Sequence, residues 1–566
     1  MIFQSLISLY DRLELEKEDN VPPLGFSIED IGFAITIDHE GNLIDQPEDL
    51  RTKIGTNTYN FFPSEVPYSN KVNVRSGPGA KKVANFMVDK ADYLFGMSGS
   101  AVKKVHHEYF EKMVIEVGAD SDDAGVAAVR RFLRRWNPED STGLEGWKEI
   151  CGTHGKWVAF KLQGDTEHIH ERPRVKKLWA EHVAKKRYSE GECLVTGRRE
   201  KIQPQYAQFK FGTGASFVAF NEKAYESYNK ERGANAPISV EAEFKSSTAL
   251  KYLLRSKTQR LRLGDATTLF WTERQSALEI FMGQILNPTS DAADAVPVQK
   301  FLEAIRAGRL PPEIEHDDKM KFFILGMSLN KARLALRFWH ICSVGDMTVR
   351  LQQHFNALQM ERNPARDIEF PGIWHLLKET ARETKNISPV LGGALIRSIL
   401  TGANYPHNLY QGVLGRIRAG EKINYLKASI LKAVLTRNSK KEVPMALDPG
   451  RTDVAYLLGR LFAVLEKAQL DALGNINATI KDRFYGAASA SPNVVFPRLL
   501  KLAQHHIEKA EYGHVSDKRI GEIIEYIESF PPHLGLEDQG LFAIAYYQQK
   551  NALYKSKKSK NEKGEE

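Results

Sequence analysis

IGFAITIDHEGNLIDQ, residues Ile31–Gln46, decides the fold class. Ile31, Phe33, Ile35 and Ile37 alternate with other residues, and Glu40–Asn42 form a Gly-containing break before Leu43 and Ile44. A period of two around a turn signal predicts a strand, a turn and a returning strand. Before it, MIFQSLISLYDRL has apolar residues at helical spacing and runs into Glu14, Glu16 and Glu18, which predicts an amphipathic helix without the basic start of a signal peptide. After it, YSNKVNVRSGPGAKK (Tyr68–Lys82) is too rich in Gly and Pro for a helix or a central strand and predicts a basic loop. Helical spacing follows over Ala101–Trp136 and Arg172–Tyr188, then strand-like sequence from Cys193 to Asn221.

Beyond Ser239 the spacing predicts mainly helices, among them AEFKSSTALKYLLRSKTQRL (Ala242–Leu261), KFFILGMSLNKARLALRFWHI (Lys321–Ile341) and GGALIRSILTGANYP (Gly392–Pro406). NSKKEVPMALDP (Asn438–Pro449) reads as a polar linker, and four amphipathic segments after it predict a helical bundle. The expected fold class is α+β: a mixed α/β region over 1–240, a mainly helical region over 241–440 and a helical bundle over 445–566.

At 566 residues, 42% hydrophobic and 27% charged, the chain is long enough for several globular domains and is not a disordered or collagenous protein. The formal charge is +8; residues 445–566 carry 16 basic and 16 acidic side chains, so the whole surplus lies in the first 444. An anionic partner is expected to meet that part. Cys151, Cys193 and Cys342 are too far apart for a CxxC site, and the odd count suits a reducing compartment. No apolar run approaches the length of a membrane span, so the expectation is a cytoplasmic protein with no membrane partner.

No GxxxxGK[ST], HExxH or GxSxG is present. GTGAS at Gly212–Ser216 fits a tight turn better than a phosphate loop. His316 and Asp317 form the dipeptide found in two-metal phosphohydrolases, yet they lie in PPEIEHDDKMK, where acidic residues suit a helix start. His168 and His170 fall on one side of a strand if that segment is extended, without a third ligand at diagnostic spacing. Neither pair is taken as a metal site, and no enzymatic activity or cofactor is expected.

Basic segments carry more information. Lys71, Arg75, Lys81 and Lys82 surround a Gly-rich turn that can present cations and backbone N–H groups to phosphate, with Asn73 or Asn85 reaching a base edge. Lys245, Lys251, Arg255, Lys257, Arg260 and Arg262 form a run without an intervening acid, which predicts a phosphate-facing stripe. Arg172, Arg174, Lys176, Lys177, Lys185, Lys186 and Arg187 make a third cluster, interrupted by Glu181.

The order of segments resembles the large subunit of type I-C CRISPR Cascade complexes. The resemblance rests on MIFQSLISLYDRL at the start, CLVTG (Cys193–Gly197), GASFVAFNEKAYESYNKERGANAPIS (Gly214–Ser239) and TALKYLL (Thr248–Leu254). It continues through FFILGMSLNKARLALRFW (Phe322–Trp339), YPHNLYQGVLGRIR (Tyr405–Arg418) and LFAIAYYQQK (Leu541–Lys550). It implies a non-catalytic subunit near the crRNA 5′ end that recognises the protospacer-adjacent motif in double-stranded DNA, aids strand opening and R-loop formation, and works with Cascade backbone and crRNA-end-binding subunits. Cutting is then the task of a recruited helicase-nuclease, with sequence read by the guide.

The resemblance also implies a small subunit made from within the same gene. Lys441, Glu442 and Val443 can be encoded AAG GAG GTN, a ribosome-binding sequence placed before Met445. Translation from Met445 yields a 122-residue product, Met445–Glu566. The alternatives are a metal-dependent nuclease built on His316 and Asp317, and a generic RNA-binding protein.

Overall fold

The strand expected around Ile31 runs over Phe26–Ile37 and is buried along nearly its whole length. The computed structural model describes residues 1–18, 21–56, 58–68, 83–152, 155–211, 213–220, 222–286, 292–309, 311–330, 333–474 and 476–561. Side chains are described within these ranges except at 210–211, 213–214, 292–297, 315–316, 329–330 and 555–561. The chain divides into two units, residues 1–256 with 329–335, and residues 257–328 with 336–566.

In the first unit, Phe26–Ile37 is central in a five-stranded sheet. Trp157–Leu162 lies parallel to it, with Phe160 opposite Ile35, while Phe62–Pro67 and Glu48–Asp49 pair antiparallel with it. Val88–Asp89 pairs antiparallel with Trp157–Leu162. The parallel neighbour accounts for burial on both faces. The turn is tied by Asp38, whose carboxylate accepts from the backbone N–H and side-chain amide of Asn42 at 2.8 and 2.9 Å. The returning strand is shorter than expected: Leu43 makes one isolated bridge to Ile37, and the ladder resumes only at Glu48.

Helices Lys104–Val117 and Ala124–Arg135 bring Phe110, Val114, Val129 and Phe132 into one core with Phe33, Ile35 and Phe160 of the sheet. Burying each such aromatic contributes about 1.5–3 kcal/mol. Asp123 caps the second helix by accepting from Gly125 and Val126 N–H. Ile31, Val66, Tyr68 and Trp157 form a smaller core, which Ile31 joins because the strand register shifts between Ile31 and Phe33. Helix Val240–Arg255 starts at Ser239, whose hydroxyl accepts from Ala242 N–H, and packs on helix Ile2–Leu15 with Tyr10 edge-on to Phe244.

The helical expectation for Lys321–Ile341 is corrected: Lys321–Asn330 and Arg333–Ser343 are neighbouring strands, assigned to the second unit except at residues 329–335. Residues 322–328 are buried without interruption, and an apolar run packed on both faces has no period that separates strand from helix. The expected helix over Ala242–Leu261 likewise stops at Arg255, and Arg260–Leu263 begins an antiparallel ladder through Ala266–Thr272 to Lys321–Asn330. A tight turn at Gly264 joins the two strands, of which the first overlaps the end of the expected helix.

The rest of this unit is helical. Tyr425–Asn438 is buried on nearly every side between Val344–Leu358 and Leu536–Asn561, and the latter packs along Val454–Leu473. Gly459 permits that close approach, since a Cβ there would stand 2.2 Å from the Phe542 carbonyl oxygen. The mixed sheets and the helical C-terminal half give the α+β class. Among the described residues no helix is long and apolar enough to cross a membrane.

Candidate nucleic-acid interface

The sheet edge delivers the chain to the basic segment. After strand Phe62–Pro67, Tyr68 donates its N–H to Gly25 O at 2.8 Å and its ring stacks on Trp157. Lys251 Nζ sits 4.9 Å from the Tyr68 ring centroid, a cation–π contact. Lys71, Asn73, Arg75, Lys81 and Lys82 lie outside the described residues. Asn85, expected to reach a base edge, is fully buried, and its carboxamide has no partner among the described residues. A side chain without accessible surface cannot touch a duplex in this conformation. The Asn85 backbone N–H is held by Asp89 at 2.9 Å.

The stripe expected over Lys245–Arg262 is not continuous. Lys245 is paired with Asp11 at 2.9 Å and Glu241 at 3.0 Å on a largely buried helix, so its charge is already met. Arg255 and Lys257 are exposed where the helix ends. Arg260 and Arg262 are exposed on one face of strand Arg260–Leu263, alternating with buried Leu261 and Leu263. Lys245, Lys251 and Arg255 belong to the first unit, while Lys257, Arg260 and Arg262 belong to the second. The unmixed charge run therefore has two origins: a helix whose Lys245 is met by Glu241 one turn before it and by Asp11 of another helix, and a strand with an exposed basic face.

In the third basic cluster, Arg172 pairs with Asp123 and Asp165, Arg174 with Asp122, and Lys176 with Glu65. Lys186 has no carboxylate partner among the described residues; its Nζ lies 5.2 Å from the Tyr188 ring centroid, and desolvation lowers its pKa. It borders a cavity of about 320 Å³ whose wall includes Tyr68, Trp179, His182, Tyr188 and Phe244. This cavity is absent from the expectations drawn from local sequence pattern. The available signal was WAEHVAKKRY, where Trp179 and His182 share a helical face just before an uninterrupted basic run.

The histidine pair expected on one strand face is instead at a short helical turn, Ile169–Glu171. Ser64 donates to Glu171 Oε1 at 2.6 Å and lies 2.9 Å from His170 Nε2, while His168 Nδ1 is 3.0 Å from Glu171 Oε2. Burial alone would raise the Glu171 pKa, but the hydrogen bonds from His168 and Ser64 outweigh it and hold the carboxyl well below its ordinary range. Asp317 is 3.9 Å from Arg274, and the His316 side chain lies outside the described residues.

Met445 is 47% exposed, and its carbonyl accepts from Glu361 N–H at 2.8 Å. The neighbouring Pro444 carbonyl accepts from Gln548 Nε2 at 2.8 Å.

Comparison with known families matches residues 6–554 to the profile described as CRISPR-associated protein (Cas_Csd1). Comparison with curated proteins returned no match.

Proposed function

Because the chain belongs to the Cas_Csd1 family of CRISPR-associated proteins, we propose that it is the non-catalytic large subunit of a type I-C Cascade surveillance complex in the cytoplasm. The family match over nearly the whole chain carries this reading. The concentration of the positive surplus in the first 444 residues supports a polyanionic partner there.

In this reading Lys71, Arg75, Lys81 and Lys82 hold duplex phosphates while Asn73 reads the protospacer-adjacent motif. Arg255, Lys257, Arg260 and Arg262 guide an opened strand, with exposure as their support. Guide pairing supplies the remaining specificity, and a separate helicase-nuclease is recruited to cut. The same gene supplies a small subunit from Met445, a position whose exposed side chain is not demanded by packing.

The test is selection from a randomised duplex library flanking a fixed protospacer, using the complex assembled with its guide. Enrichment of one short motif, lost when Asn73→Ala replaces the wild type, supports the reading. Retention of all flanks equally contradicts it. Metal-dependent cleavage by the purified chain, abolished by His316→Ala, would replace it with a nuclease.

A further inference from the structure

The cavity beside Lys186 is formed within the first unit by several separate stretches of chain, Met113 of helix Lys104–Val117 among them. Leu24, Gly25 and Phe26 enter the central strand, Tyr68 and Val83 flank the basic segment, helix Pro173–Ala184 supplies Trp179, His182 and Val183, and helix Val240–Arg255 supplies Phe244. At about 320 Å³ it is at the small end of ligand pockets, which hold roughly 300–1,000 Å³.

Its chemistry is specific. Trp179 and His182 stack with planes 18° apart, and the Trp179 indole is fixed by donating to Gly25 O at 2.6 Å. Tyr188 is half-buried, and Lys186 is exposed beside it. Among the described residues no Asp or Glu lines the cavity. The neighbouring Arg172, Arg174 and Lys176 have carboxylate partners, but Lys186 has none among the described residues. An aromatic wall with one uncompensated cation at its edge suits a planar heterocycle joined to a phosphate: bases stack on aromatic rings irrespective of sequence, and the cation meets the backbone.

Resting on the reading that this chain works in a guide-loaded complex, we propose that the cavity receives one unpaired nucleotide, its base against His182 and Tyr188 and its phosphate at Lys186. The same chemistry is offered by a nucleotide of the guide RNA or by one displaced from target DNA. Position next to both ends of the basic segment makes this a holding site for a nucleotide leaving a helical stack.

The test uses the assembled complex. One preparation carries guide RNA containing 4-thiouridine, the other is bound to target DNA containing 5-iodouracil, and each is irradiated and mapped by peptide mass spectrometry. A cross-link at His182 or Tyr188 in one arm supports the site and identifies the source. In wild type, Tyr188→Ala and Lys186→Ala complexes, affinity for that strand is measured against salt. Tyr188→Ala should weaken binding roughly ten-fold, within the range for losing one base stack. Lys186→Ala should reduce the slope of log affinity against log salt by about 0.7, the value for one single-strand phosphate. Both side chains reach solvent, so loss of folding is not expected to mask the result. A complex that binds guide and target normally, with no cross-link there and no change in either variant, overturns the pocket and leaves the complex assignment standing. A chain that recovers no nucleic acid overturns both.

Discussion

The Tyr68 ring lies against Trp157 with centroids 6.3 Å apart and planes 19° apart, joining the residue that precedes the basic segment to the strand parallel to the sheet's central strand. Trp157 is 5% exposed and Tyr68 is 5% exposed, so the stack is part of the core. Trp157→Ala is expected to destabilise the first unit by about 3–5 kcal/mol, as for other buried aromatics. Urea unfolding followed by circular dichroism measures this, and a midpoint equal to wild type would remove the anchoring role.

If Arg75 and Lys82 contact duplex phosphates, replacing both with Ala should lower the salt slope of duplex binding by about 1.8, or about 0.9 for each phosphate lost. Lys245→Ala should leave that slope unchanged, because Lys245 is already paired with Asp11 and Glu241. Titrating the assembled complex with a labelled duplex at several salt concentrations separates these outcomes. An unchanged slope in the double variant would reject the phosphate assignment.

His170 and His354 are both fully or almost fully buried, and burial lowers each pKa from 6.5 to about 3. The unfolded chain therefore takes up protons that the fold refuses. Stability is retained above pH 6.5 and falls as the pH drops toward 3, by about 1.4 kcal/mol per pH unit for each group. Urea midpoints across this range should fall less steeply in His170→Gln than in wild type. Identical slopes would show that His170 does not contribute.

Gly459→Ala should destabilise the second unit by about 1–3 kcal/mol, since the new methyl meets the Phe542 carbonyl and must separate two helices. Gly521→Ala is the control: its Cβ enters open space within helix Gly513–Ile524, and removing the glycine there should stabilise by about 0.5–1 kcal/mol. Unfolding midpoints that shift equally in the two variants would contradict the close packing.

Met445→Ala should remove the short product while leaving the full chain folded, because the Met445 side chain is 47% exposed and the structure uses its carbonyl in a hydrogen bond. Immunoblotting with a C-terminal tag reads this directly. A 122-residue band that persists would reject the internal start.

What the sequence made legible followed from pattern length. Ile31–Ile37 alternated long enough to mark a strand, and the amphipathic segments after Asp453 were long enough to mark helices. Phe322–Ser328 did not separate from a helix because its neighbours bury both faces, which erases the period. The basic stripe was misleading for a different physical reason: Lys245 is met by Glu241, four residues before it and just outside the run, and by Asp11, 234 residues away, which no local charge pattern reveals. Asn85 was a polar residue after a loop, with nothing local to show its full burial. The cavity at Lys186 depends on residues from Leu24 to Phe244 meeting in space, which no local spacing encodes.

Membership of a guide-loaded complex is decided by expressing the tagged full chain with its neighbouring genes and a CRISPR array, then sequencing the RNA and sizing the proteins that copurify. A Cascade large subunit should bring down guide RNA of uniform length, backbone subunits and a small protein beginning at Met445. Recovery of the chain alone, or with RNA unrelated to the array, would contradict it.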